Sequence, residues 1–168
     1  EDTYLNVMIQ LRQMGYFKKE DIQKFSLVLM LCEPWCGCRG ISEKRFRFLV
    51  EWDPASLIKT DGRYEQCGSL PLHYAATTDV AASCFQDFRI VFEYGIRYYP
   101  KKKGISLLFQ NSYYRSNLVH NDIHFDEWTN NRRAGFGPTP FRKVRQRHCP
   151  EEVMKVVEDI LIRYSDTP

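Results

Sequence analysis

No apolar run in this chain approaches the roughly 20 residues that a membrane-spanning helix needs, so the sequence offers no bilayer span. The short motifs of common catalysts are equally missing: no G-x-x-x-x-G-K-[ST] phosphate loop, no G-x-G-x-x-G turn, no G-x-S-x-G elbow and no His-Glu-x-x-His pair. Charge of one sign is scarce too. The 24 Lys and Arg residues against 21 Asp and Glu leave a formal net charge of +3, which by itself selects neither nucleic acid nor acidic protein as a partner. The opening residues Glu1-Asp2-Thr3-Tyr4 are acidic and polar, unlike a secretory leader, and read as the start of a fragment or processed product. With six cysteines and no leader, the expected setting is intracellular and thiol-reducing: the cytoplasm first, the nucleus as the alternative.

What the chain does have is bulk. Aromatics reach 14% of 168 residues, enough to fill one core with large inter-helix contacts. Helical periodicity is visible through most of the chain. Leu5, Met8, Ile9 and the stem of Arg12 share one face of a first helix that Gly15 stops. Ile22, Phe25, Val28, Leu29 and Leu31 follow as a second helix, with Glu20 and Asp21 complementing its N-terminal dipole. After a break at Glu33–Gly40, Ser42 is placed to cap a third helix carrying Phe46, Leu49 and Val50, which Trp52-Asp53-Pro54 ends. A longer stripe of Phe85, Phe88, Val91, Phe92 and Ile96 runs out at Tyr98-Tyr99-Pro100. The last helix is opened by Pro150 and presents Val153, Val156, Val157, Ile160, Leu161 and Tyr164, preceded by a shorter helix from Pro140 to about Arg147.

The most distinctive string is Gly68-Ser69-Leu70-Pro71-Leu72-His73-Tyr74-Ala75-Ala76. Proline suits the first helical turn, where its missing N–H has no intrahelical partner, and paired alanines let a second helix pack close. A fainter copy stands at Gly137-Pro138-Thr139-Pro140-Phe141. These residues resemble the start of an ankyrin repeat, with its G-x-T-P-L-H-x-A-A pattern. The resemblance covers residues 42–164 and reaches the first forty as a helical pair acting as a cap or degenerate repeat. It implies an all-α, ankyrin-like α-solenoid over 41–168: stacked helix-turn-helix units, no catalytic residues, no cofactor, and a concave face with finger loops that bind another protein. In that family the residue at His73 is structural, hydrogen-bonding between neighbouring turns. The departures are Leu70 where threonine is usual, Arg142 in place of histidine, and Val144-Arg145 in place of the alanine pair, the last suiting a terminal unit with one solvated face.

Pro71 and Pro140 lie 69 residues apart, close to two periods of about 33. A degenerate repeat beginning at Gly104-Ile105-Ser106-Leu107-Leu108-Phe109 accommodates that spacing. The favoured alternative is a long inserted loop over about 110–136, rich in turn formers and lacking a second apolar stripe. The expected contact surfaces are therefore finger loops 55–67 and 101–136 and the exposed face of the short helices. The residues assigned to partner binding are Tyr64, Tyr113, Tyr114, Trp128, Arg132, Arg133, Arg142 and Arg145. The partner is an unidentified protein, met by a monomer or by part of a larger chain. The second reading is nucleic acid, held by the basic 132–147 segment and nearby aromatics; Glu151, Glu152, Glu158 and Asp159 dilute its charge.

Two clusters have metal-ligand residue types. Cys32, Cys36 and Cys38 crowd one turn, with Cys67 a distant fourth thiolate, but the C-x3-C-x-C spacing is not a zinc knuckle, and free thiols explain it more simply. His120 and His124 stand four apart beside Asp122, Asp126 and Glu127, a spacing that shares a helix face but lacks a zincin signature; solvated loop residues are the plainer reading. No metal ligand is assigned.

Overall fold

The computed structural model describes residues 2–33, 40–60, 68–77, 81–114 and 135–165; of residues 81–84, 113, 114, 135, 136 and 165 it describes the backbone alone. These residues are predominantly helical. The helices are α1 (Thr3–Gln13), α2 (Lys19–Lys24), α3 (Leu27–Cys32), α4 (Glu43–Trp52), α5 (Pro71–Ala75), α6 (Ala81–Tyr98), α7 (Lys102–Phe109), α8 (Pro140–Arg147) and α9 (Pro150–Ser165), with a 3-10 turn at Pro54–Leu57. Strand β1 (Tyr113–Tyr114) pairs antiparallel with β2 (Gly135–Phe136), a small exception to the all-α expectation.

Most helix ends fall where the sequence places them. Gly15, at φ +77, takes the left-handed conformation that ends α1, and proline stands at the first turn of α5 and α8. The helix expected across residues 22–31 is instead two. Ser26 sits at φ 51, ψ 40, and this left-handed residue separates α2 from α3. Ser42 occupies the cap position of α4 but caps nothing, because its hydroxyl turns to Asp2 Oδ2 at 3.2 Å.

Contacts between helices follow a regular order. α3 packs on α4, α5 on α6, and α8 on α9. Across these pairs, α3 meets α5 and α5 meets α8 on one side, while α6 meets α9 on the other. α4 joins this second row through the edge-to-face rings of Phe46 and Tyr94, 5.6 Å apart, and just before α4 the Ile41 N–H is donated to Asp87 Oδ1 at 2.8 Å. Between the rows lie Phe46, Leu49, Leu72, Ala75, Phe88 and Phe92, each 2% exposed or less. Burying a phenylalanine of this kind contributes about 2–3 kcal/mol, so the three phenylalanines are the largest single anchors.

The stretch 101–109, expected as part of a finger loop, is mostly helix α7. It lies against α6 and α8. Gly104 permits this, since a Cβ there would collide with the Tyr99 carbonyl, and a Cβ on Gly95 would meet Leu107 Cδ1 at 3.0 Å. Finger loop 55–67 is likewise held in its first part. Ser56 and Leu57 are buried, and Lys59 Nζ donates to the Gln23 carbonyl at 2.5 Å. Among the described residues no helix is long and apolar enough to cross a membrane.

Candidate functional site

The region where α5, α8 and the 110–136 excursion meet gathers most of the described candidate residues. Leu70 has no hydroxyl to cap α5, and His73 does the work from three residues on: its Nδ1 accepts the Leu70 N–H at 3.0 Å. Because Nδ1 is an acceptor, the ring proton belongs on Nε2, which donates to the Gln110 carbonyl at 2.9 Å. One fully buried imidazole thus ties the start of α5 to the chain leaving α7. Burial, seconded by the nearby Lys143 charge, pushes the His73 pKa from 6.5 to about 4, against the opposing pull of the Gln110 bond. With both nitrogens occupied and the ring neutral, His73 is a fastener rather than a proton shuttle. Pro71, Leu72, Ala75 and Ala76 are buried around it, and Gly68 is half-buried in the approach to the helix.

The second copy of the motif is built differently. Thr139 Oγ1 accepts the Arg142 N–H at 3.2 Å, which caps α8, and Pro140 takes the first helical position. Gly137 donates its N–H to the Ser112 carbonyl at 2.6 Å. Arg142, standing where α5 has His73, is exposed. Val144 is fully buried at the first small-residue position, whereas Arg145 at the second is exposed, with its guanidinium 5.5 Å from the Phe141 ring centroid.

α8 is the most basic element described here. Its eight residues, PFRKVRQR, include Arg142, Lys143, Arg145 and Arg147 and no acid. Arg147 Nη1 donates to the Thr77 carbonyl at 2.6 Å, strapping the end of α8 to the end of α5. Lys143 is half-buried, and burial together with the Arg147 charge lowers its pKa from 10.5 to about 8. Beyond α8, Cys149 Sγ donates to Glu151 Oε2 at 2.7 Å, a bond that leads the causes holding the Glu151 carboxyl below its ordinary range.

The excursion over 110–136 leaves and returns at one place. Tyr113 pairs with Phe136 and Tyr114 with Gly135, and the Gly137–Ser112 bond continues the closure. Of the residues assigned to partner binding, Arg142 and Arg145 share α8, and Tyr113 and Tyr114 form β1. Tyr64, Trp128, Arg132, Arg133, His120 and His124 lie outside the described residues, as do Cys36, Cys38 and Cys67. Cys32 is described and poorly suited to metal: it is buried, and desolvation with the nearby Asp87 and Glu33 charges drives its thiol pKa well up. Among the described residues no group of three or more His, Cys, Asp or Glu is placed to hold an ion.

The fold also assembles charges that the sequence keeps far apart. A groove of about 570 Å³ between α4, α6 and α9 is lined by Arg47, Arg89 and Arg97 and by Glu43, Glu51 and Glu93. Glu93 accepts from Arg163 at 2.7 Å and from the Tyr164 hydroxyl at 3.0 Å, and Arg97 stands 4.0 Å from Glu51. These contacts tie α6 to α4 through Arg97 and Glu51, and α6 to α9 through Glu93 and Arg163. Charges spread over three separate helices read in sequence as solvated faces, because only the fold brings them together. Comparison with protein-family models, with curated proteins and with solved structures finds no match to this chain.

Proposed function

We propose that this chain is a non-catalytic, ankyrin-like interaction module that binds another protein through the 110–136 excursion and the adjoining short helices. The observation that carries the reading is the arrangement around His73. Two rows of packed helices supply a rigid base, and at one edge of it a long excursion has both ends clamped. A preorganised base of this kind limits the ordering entropy lost when a partner binds. The family resemblance of residues 68–76 and 137–140 points the same way, and the His73 bond to Gln110 supports the structural role that the resemblance gives this histidine.

A pull-down from lysate tests the proposal, using the intact chain beside a variant lacking residues 111–133. Proteins captured by the first and lost with the second support the excursion as the binding element. Equal capture moves the contact to the helical face. The second reading, nucleic acid on the basic 132–147 segment, is favoured by the four cations of α8. It takes over if the chain retains nucleic acid with a steep dependence on salt.

A further inference from the structure

Lys143 differs from Arg145 and Arg147 on α8 in that no group among the described residues answers its charge. Arg147 is spent on the Thr77 carbonyl, and Arg145 covers the Phe141 ring. The Lys143 ammonium is half-buried, and the charges that bear on it from its own helix and from α5 are unhelpful: Arg147 is cationic, and the buried His73 is neutral. Among the described residues no carboxylate pairs with it. An ammonium drawn away from water without a counter-charge is unfavourable, and a carboxylate brought beside it recovers more energy there than at a fully solvated lysine. The lowered Lys143 pKa agrees with this geometry.

We propose that the flank of α8 around Lys143 is the docking strip for an acidic segment of a partner protein, one carboxylate of which pairs with the Lys143 ammonium while Arg145 meets a second at the rim. The inference rests on the module reading above and names the chemistry of its partner. Charge complementarity sets that chemistry, and the surroundings set its extent. Glu151 and Glu152 stand exposed in the first turn of α9, and the Cys149 bond favours the ionised form of Glu151. The positive strip is therefore about two helical turns long and fenced on one side by carboxylates. These carboxylates repel any long polyanion running past the strip, so a short acidic segment confined to its two turns fits better than an extended phosphate backbone.

The test is a titration of the full chain with a fluorescein-labelled hexaglutamate peptide in low-salt buffer at neutral pH. Saturable binding is expected, weakened about ten-fold by Lys143→Met, the loss typical of one charge-assisted contact. Lys155→Met, at an exposed position on α9, should leave it within about two-fold. Lys143→Met should melt no lower than the wild type, since it removes an unanswered, half-buried charge. If that variant proves unstable, Arg145→Glu at the exposed rim serves instead and should weaken binding several-fold. Equal affinity for wild type and the tested variant overturns the proposal. So does tighter binding of oligothymidylate than of hexaglutamate with the same loss on substitution, which hands the strip to nucleic acid. A protein captured in the pull-down by wild type and Lys143→Met alike overturns this inference and leaves the module reading standing. Capture of no protein by the intact chain overturns the module reading, and the peptide titration still judges the strip.

Discussion

At the scale of single residues, His73 concentrates more of the structure than any other side chain described. Its neutral form joins the buried Leu70 N–H to the carbonyl of Gln110, a residue at the exposed end of α7. His73→Ala should therefore cost about 3 kcal/mol, combining two lost hydrogen bonds with a cavity, measured as a drop in the urea midpoint. The same group sets a pH dependence. Its folded pKa of about 4 lies below the ordinary 6.5, so the unfolded chain binds the proton more readily between those values. Stability from His73 is thus complete above pH 6.5 and shrinks as pH falls towards 4, by up to about 3 kcal/mol. Urea midpoints for wild type and His73→Ala should converge across that window; parallel curves would mean the imidazole is not held neutral. The Leu70-Pro71-Leu72-His73 string announces this residue and the helix it starts, because proline, turn and small residues are local signals. Its second partner, Gln110, lies 37 residues away and carries no local mark. The same limit hides Ser42, whose hydroxyl is drawn off its helix by Asp2, 40 residues earlier.

Among elements, α7 is the one whose sequence argues least for a helix. Lys101, Lys102 and Lys103 crowd the end where a helix dipole disfavours cations, and Gly104 follows with the poorest helix propensity after proline. Lys101 also takes a positive φ of 65. What supports the helix is tertiary: the close approach at Gly104 and Gly95 sets Leu107 and Leu108 into the core. Gly104→Ala should accordingly destabilise the protein by about 2–3 kcal/mol despite the better propensity of alanine. A thermal melt that rises, as propensity alone requires, would deny the close packing. The amphipathic helices α6 and α9 were readable because their apolar stripes repeat over about three turns, and α4 because Ser42 and Trp52-Asp53-Pro54 bracket its shorter stripe of Phe46, Leu49 and Val50. The α2–α3 break was not, since an apolar run continues straight across Ser26 and only the left-handed backbone there reveals the interruption.

For the whole molecule, the described ends of the 110–136 segment meet in the β1–β2 pair beside the helices. Because Tyr114 and Gly135 already face each other, replacing residues 115–134 with Asn-Gly should close a two-residue hairpin without disturbing the helices. Circular dichroism and the melting midpoint should stay close to wild type, while capture of the partner is lost. A collapse of the fold would show that the excursion belongs to the core. The order of the main helices was legible in the sequence, from their apolar stripes. The grouping of charges was not: the Arg147 strap to Thr77 and the Arg163–Glu93 pair each join residues 70 apart.

The first helix is joined to the packed helices in another way. α1 has no fully buried residue: Met8 packs half-buried against the core, Asp2 ties to Arg45 and Ser42, and the Arg12 guanidinium stands 4.2 Å from the Trp52 ring centroid. The Asp2 carboxyl, bonded chiefly by Arg45, has its pKa lowered from 3.8 to about 2, so this tie holds above pH 3.8 and weakens as pH falls through 2. Trp52 lies beneath both Arg12 and the edge of Phe17, and so acts as an optical reporter for a strap that can lift while the rest of the molecule stays closed. Amide exchange in α1 should run ahead of that in α4 and α6, and Asp2→Asn should alter Trp52 emission at neutral pH without moving the main unfolding transition. Those two results together would mean that the molecule comes apart in two steps, with a single melting temperature describing only the second.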